Sequence, residues 1–310
     1  MTSFLLRRLA WTLVILWAVS TLTFVATLKL GDPVVVIVGP RASARDREHV
    51  RRFYGLDQPT YVQYARYLGH LTHGDLGLSY RYRRPVSQLI AERFPRTLLL
   101  AVISMVLEVV LGVGFGMIAA ARRGTRVDTG IMSVSFVLMS TPTFLSGKLF
   151  LMGLGYYAGW FPIGGYGVDF PDHLRHVILP ALTLALISTA FYARLTRNEL
   201  VEILQSDYIR TARAKGLSES VIVFKHGLRN ALLPVVTSLG LSFGSLFTGA
   251  IVTEAIFAWP GLGRLAYESI TGLDVPVIVG TVIFGSFGIL LGNLLSDLAY
   301  ALLDPRIRHG

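Results

Sequence analysis

The chain has 310 residues, of which 53% are hydrophobic and 15% charged, and its mean hydropathy is +0.57. The apolar residues are gathered into long runs rather than spread at helical or strand periods, which excludes an ordinary soluble protein and points to one embedded in a bilayer. The formal net charge of +10 is read as Lys and Arg anchoring loops at anionic headgroups rather than as a nucleic-acid surface, and zero cysteines exclude disulfides, thiolate metal sites and cysteine nucleophiles.

After Arg7 and Arg8, the stretch 9–28 is uncharged. It is longer than the roughly 7 to 15 apolar residues of a cleavable signal core, so it is read as an anchor within residues 1–31. Residues 32–96 are polar and contain two helix signals. Ser43 opens SARDREHVRRF and Pro59 opens PTYVQYARYLGHL, each residue type suiting a first turn. This segment is expected to be a small helical cap outside the membrane, acting either as a lid on the bundle or as a contact for a delivering partner.

Five further stretches, 97–121, 129–155, 177–193, 232–253 and 277–302, approach or exceed the roughly 20 residues that cross about 30 Å of hydrocarbon. The expected fold is therefore an all-α polytopic membrane protein with six transmembrane helices, the last five forming a core over 97–310. Basic residues crowd Arg7 and Arg8, then Arg122, Arg123 and Arg126, the seven Lys and Arg from Arg194 to Arg229, and Arg306 and Arg308, whereas the opposite short loops hold Arg175 and Arg264. Both termini are thus expected in the cytoplasm. The twelve Lys and Arg of 29–96 run against that rule, but loops longer than about 60 residues cross largely regardless of charge.

The loop 194–231 carries the most information. Leu200, Ile203 and Leu204 continue the stripe of the fourth span; Gln205, Ser206 and Asp207 interrupt it. A short helix is expected from Tyr208 to Lys215, closed by Gly216, with Ser218 capping another that runs to Arg229. Tyr208, Thr211, Ala212 and Lys215 share one face, and Ala212 with Gly216 would let another surface approach the backbone. Such a helix, turn and helix fits either a docking knob or an amphipathic interfacial helix.

The residues DYIRTARAKGL from Asp207 and HGLRNALLPVV from His226 resemble the cytoplasmic "EAA" loop of bacterial ABC-importer permeases, in the version of the dipeptide, oligopeptide and nickel importers. GLDQPTYVQYARYLGHLTHGDLGLSY from Gly55, STPTF from Ser140, TEAIFAWPGLGRL from Thr253 and LLDPRIR from Leu302 resemble the same family, so the likeness spans nearly the whole chain and suits its first, B-type permease subunit. The loop departs from the generic Glu-Ala-Ala at Arg210 and Thr211 while keeping Ala212 and Gly216; the later Leu233-Pro234 suits the peptide and nickel branch. The resemblance implies a type I importer permease forming half of a pathway in the bacterial inner membrane, completed by a second similar permease. It also implies two ATPases that hold ATP and magnesium, and a binding protein that delivers the cargo. The chain itself would hydrolyse nothing and bind no cofactor. Asp207, Tyr208, Arg210, Thr211, Ala212, Arg213, Lys215, Gly216, His226, Arg229, Asn230 and Pro234 are carried over as coupling residues seated on an ATPase.

Other features are weaker. Ser140, Pro142, Ser242 and Thr248 are expected along the pathway, with Pro142 and Pro180 breaking their helices. Glu108 and Lys148, two charges inside spans, are expected to pair. Gly112 and Gly116, Gly240 and Gly244, and Gly288 and Gly292 have helix-packing spacing, within the chain or against a partner. Gly240 to Gly244 also matches the G-x-S-x-G of serine hydrolases, a motif that acts on a strand-turn-helix. A stand-alone carrier is the other rival, but no clear internal duplication supports it. Cargo is expected to be di- or oligopeptides, with glutathione or nickel as alternatives, and no metal site is expected in the chain.

Overall fold

The computed structural model describes residues 2–29, 31–39, 41–242 and 250–303. Among these the regular structure is helical, apart from one isolated bridge between Leu78 and Pro85. The helices are α1 (Thr2–Thr27), α2 (Pro33–Val38), α3 (Ala44–Phe53), α4 (Thr60–Thr72), α5 (Val86–Ala121), α6 (Arg126–Ser140) and α7 (Thr143–Phe150). A π-helical segment (Leu151–Tyr157) follows, then α8 (Phe170–Leu204), α9 (Asp207–Ala214), α10 (Glu219–Val221) and a second π segment (Ile222–Gly227). The chain continues through α11 (Leu228–Ala231), α12 (Leu233–Ser242), α13 (Ile251–Ile256), α14 (Leu262–Thr271) and α15 (Val275–Leu303).

Four of these are long and apolar enough to span a membrane by themselves: Ala10–Thr27, Val86–Ala121, Phe170–Leu204 and Val275–Gly292. The stretch expected to be one span over 129–155 is instead a bent pair, α6 and α7, turning through 106°. Pro142 lacks an N–H and forces the residue before it out of the helical region, and Thr141 duly has φ −87° and ψ 122°. Pro180 does not act as expected: α8 continues through it without a break. Its neighbours Val177 and Ala181 are buried with Leu100 and Trp259, and that packing outweighs one missing backbone bond. α5 begins at Val86, upstream of the expected 97, and carries Pro95 inside it. Of the stretch 232–253, α12 is described, whereas residues 243–249 lie outside the described residues.

Contacts divide the chain into two units. One comprises Met1–Leu98, Gly244–Ile251 and Pro260–Gly310. Its polar helices follow the caps read from sequence: the Ser43 hydroxyl accepts from the Asp46 amide at 3.2 Å, and neither α3 nor α4 buries a residue. The loop before α5 is fixed by Asp274, a fully buried carboxylate at the start of α15. It accepts from the Ser79 hydroxyl (2.5 Å) and from the amides of Tyr80 (3.1 Å) and Arg81 (3.2 Å). Filling its lone pairs is what makes burial of that charge tolerable. Beside it, Tyr82 donates to Glu268, which also accepts from Arg264. Burial opposes ionisation of Glu268, but these two donors outweigh it and hold the carboxyl below its usual range. Val86, Leu89, Ile90, Leu262, Leu265 and Val277 form the apolar cluster of this unit.

The other unit comprises Leu99–Phe243 and Val252–Trp259. Here α5 and α8 touch backbone to backbone. A Cβ on Gly112 would lie 2.6 Å from Tyr192 Cβ, and one on Gly116 would lie 2.6 Å from the Ala193 carbonyl oxygen. This glycine pair therefore packs within the chain rather than against a partner. α6 joins α8 through Asp128, which takes a two-pronged contact from Arg197 at 3.1 and 2.7 Å. The hydrocarbon-length helices and their charged ends follow from the same patterning that marked them in the sequence.

Candidate functional site

The loop between α8 and α12 folds into a compact knob. α8 stops at Leu204, where the Ser206 hydroxyl turns back to donate to the Ile203 carbonyl at 2.6 Å, so Ser206 starts α9 by backbone geometry without capping it through its side chain. Gly216 closes α9 with φ +78°, and open space surrounds the place where its Cβ would stand. Ser218 then starts α10, which runs through the π segment into α11. Pro234 occupies the second position of α12, where a missing N–H costs no helical bond.

What holds the knob is apolar. Ile209 and Ile222 are fully buried and, with Ala212, pack against Ile203 and Leu204 at the end of α8. Ala212 was expected on the presented face; it is only 8% exposed and points inward, because it shares a side of α9 with Ile209 three residues before it. Ile209 and Ile222 are the residues that sequence reading missed. Their signal was the apolar i, i+3 spacing of Ile209 and Ala212 inside an otherwise charged helix. Gly227 completes the seat: a Cβ there would come within 2.8 Å of Leu200.

A second set of contacts braces the two limbs. The Tyr208 hydroxyl accepts from Asn230 Nδ2 (2.9 Å) and donates to the His226 carbonyl (3.4 Å). Arg213 grips Glu219 across the glycine turn at 2.7 and 3.2 Å, and that hydrogen bond holds the Glu219 carboxyl below its ordinary value. The remaining predicted residues, Asp207, Arg210, Thr211, Lys215, Gly216 and Arg229, are exposed, with Arg210 making only a 3.3 Å contact to Asp207. The result is a charged ridge rigidly seated on the end of a long helix. It is suited to receiving a protein surface and transmitting force, and it lacks the arrangement of a hydrolytic site.

The other predicted residues are scattered. Ser140 is exposed and its hydroxyl donates to the Phe136 carbonyl at 3.0 Å, while Pro142 marks the bend. Glu108 and Lys148 do not pair: Glu108 lies beside Ser188 of α8, and Lys148 is exposed on α7. Residues 240–242 are helical, which is the wrong setting for a nucleophile elbow; Gly244 and Thr248 lie outside the described residues. Among the described residues no group of three or more His, Asp or Glu is placed to hold a metal ion.

Residues 112–309 match the family model described as the inner membrane component of binding-protein-dependent transport systems, and residues 1–101 match the model of its N-terminal part. The chain belongs to this permease family. It is accordingly a multi-pass inner-membrane permease subunit with the type I ABC importer permease fold. The permease is 42% identical, over the full length of both chains, to the oligopeptide transport system permease protein AppB of Bacillus subtilis. It is 44% identical to the glutathione transport system permease protein GsiC of Escherichia coli K12, again over the whole of each. A putative peptide transport system permease protein of Brucella abortus is 42% identical over equal coverage.

Proposed function

We propose that the permease forms half of the translocation pathway of an ATP-driven importer of di- or oligopeptides. The observation that carries the reading is the knob, a glycine-hinged pair of short helices whose buried isoleucines fix it to α8 while its charged residues stay exposed. In this reading the knob is cytoplasmic, as are both termini. Asp207, Arg210, Thr211, Lys215 and Arg229 face the ATPase groove, while Tyr208, Arg213, His226 and Asn230 keep the ridge in shape and Ala212 seats it. Gly216 is the hinge, and Pro234 starts the next helix. A second, similar permease completes the pathway, two ATPases bind ATP and magnesium, and a binding protein delivers cargo from outside. Ser140 and Pro142 at the α6–α7 bend border the route, and residues 32–96 face the binding protein.

Peptide cargo is favoured by the names of the oligopeptide and putative peptide relatives. The glutathione relative, at 44% identity, favours a second reading in which the cargo is that small thiol peptide. The test is reconstitution of the full complex in proteoliposomes, with uptake of labelled dipeptides, longer peptides and glutathione followed with and without ATP. ATP-dependent uptake requiring the binding protein is expected. Uptake by this chain alone, driven by an ion gradient, would overturn the proposal.

A further inference from the structure

Asp128 is a nearly buried acid at the start of α6, 4% exposed as a residue. Its Oδ1 takes Arg197 Nε at 3.1 Å and its Oδ2 takes Arg197 NH2 at 2.7 Å; the same Oδ2 also accepts the Gly124 amide at 3.0 Å. One carboxylate therefore ties together three parts: the turn after α5, the first turn of α6 and the body of α8. At the same level α5 presses on α8, since a Cβ on Gly116 would lie 2.7 Å from Thr196 Cβ and 3.1 Å from the Arg197 amide nitrogen. Arg197 stands about two helical turns, roughly 10 Å, before Leu204, against which the knob is seated.

We propose that Asp128 and Arg197 are positioning residues that make α6 move as one body with α8 and the knob, so that displacement of the knob reaches the α6–α7 bend. The proposal rests on the coupling role given to the knob above. A planar guanidinium held at two points fixes orientation as well as distance, which a single-point contact or an apolar patch does not. Packing at Gly112 and Gly116 keeps α5 against α8, and Arg194 of α8 also reaches α6, 4.4 Å from the centre of the Phe136 ring and 3.7 Å from Met139 Sδ, but among the described residues Asp128 with Arg197 is the ion pair that joins α6 to α8. A push on the end of α8 is thereby delivered to the N-terminal turn of α6. From there it passes along the helix to Thr141 and Pro142, where the chain turns by 106°.

The test uses the assembled complex in proteoliposomes, with this permease, its partner permease, the ATPases and the binding protein. Because the permease has no cysteine, Val127→Cys and Asn198→Cys place spin labels on either side of the tie without competing sites on this chain. In the wild-type background the distance between the labels is expected to stay constant between the nucleotide-free and ATP-bound states. In Arg197→Lys, which keeps the charge but loses the fork, it is expected to change between states. Peptide taken up per ATP hydrolysed is then expected to fall by about tenfold, a size that mutations along a coupling route produce, while the ATPase stays responsive to the binding protein. The reversed pair Asp128→Arg with Arg197→Asp is expected to recover part of that ratio. A label distance that changes in the wild-type background, or an Arg197→Lys variant with constant distance and full uptake per ATP, overturns the proposal. Failure of the wild-type complex to import peptide on ATP would instead overturn the importer reading, and the label distances would still judge the tie.

Discussion

α3 and α9 are both short, charged helices introduced by a serine, with an acid in the first turn and arginine in the last, as the helix dipole favours. α3 buries none of its residues, whereas α9 buries Ile209 and Ala212. Charge content therefore does not separate a helix that lies in water from one that is fixed to a span. Nor does apolar spacing alone, since Val50 and Phe53 of α3 are also three apart and neither is buried; what separates them is that Ile209 and Ala212 meet Ile222, Ile203 and Leu204. Burying an isoleucine side chain contributes about 2 to 3 kcal/mol, enough to hold a two-turn helix that has little stability of its own.

The sharpest way to break this contrast is Ile209→Ala, expected to lower the stability of the knob by about 3 kcal/mol and to speed amide exchange across 207–231. The corresponding trim in α3, Val50→Ala, should leave exchange in 44–53 within about 1 kcal/mol of its original value, since Val50 is only partly covered. Equal effects at the two sites would show that both helices are seated alike. Next in size, Gly216→Ala should cost about 1 to 2 kcal/mol through backbone strain alone, because φ +78° is unfavourable for a side chain even where space is open. The same variant should reduce uptake per ATP more than it reduces the amount of assembled complex. Ser43→Ala should cost about 1 kcal/mol, read as faster exchange at the amides of the first turn of α3.

Acidification provides the mildest probe. Glu219 is held below its ordinary value of 4.5 by Arg213, so its contribution is fully present above that value and is lost as pH falls through the lowered one. Exchange at the α9–α10 turn, corrected for intrinsic rates, should rise only in that acid window. α3 has a surface pair of its own, Arg52 with Glu48, but it lies within one helix, so its loss should not open a joint between helices.

Much of the fold was legible because it depends on local rules. Ser43 capped where it was expected, Gly216 took the left-handed turn, and helices formed in the described parts of the apolar runs. The break in the third span was legible in Pro142 and in the restriction it places on Thr141, whereas the size of the bend was not, because hydropathy reports length and not direction. Pro180 shows the limit of that same rule, since a proline whose helix neighbours Val177 and Ala181 pack with Leu100 and Trp259 is carried along by packing that no local pattern announces. At the knob, the outward charges were legible and the inward isoleucines were overlooked. Asp128 and Arg197 meet across 69 positions of sequence, and nothing in the spacing of either residue points to the other.

The π segment Ile222–Gly227 has a consequence for the tolerance of this region to change. A π turn takes up one residue more than an α-helical turn, so deleting a residue there would leave the backbone free to settle into a regular helix. Because the wider turn already absorbs that residue, the limb after the deletion would keep nearly the same angular phase, and Asn230 would stay opposite Tyr208. A deletion in a neighbouring α-helical turn has no such slack: it would rotate the second limb by about 100° and remove the strut between the limbs. The π segment is thus the stretch of this loop where chain length can change without altering how the second limb is aimed.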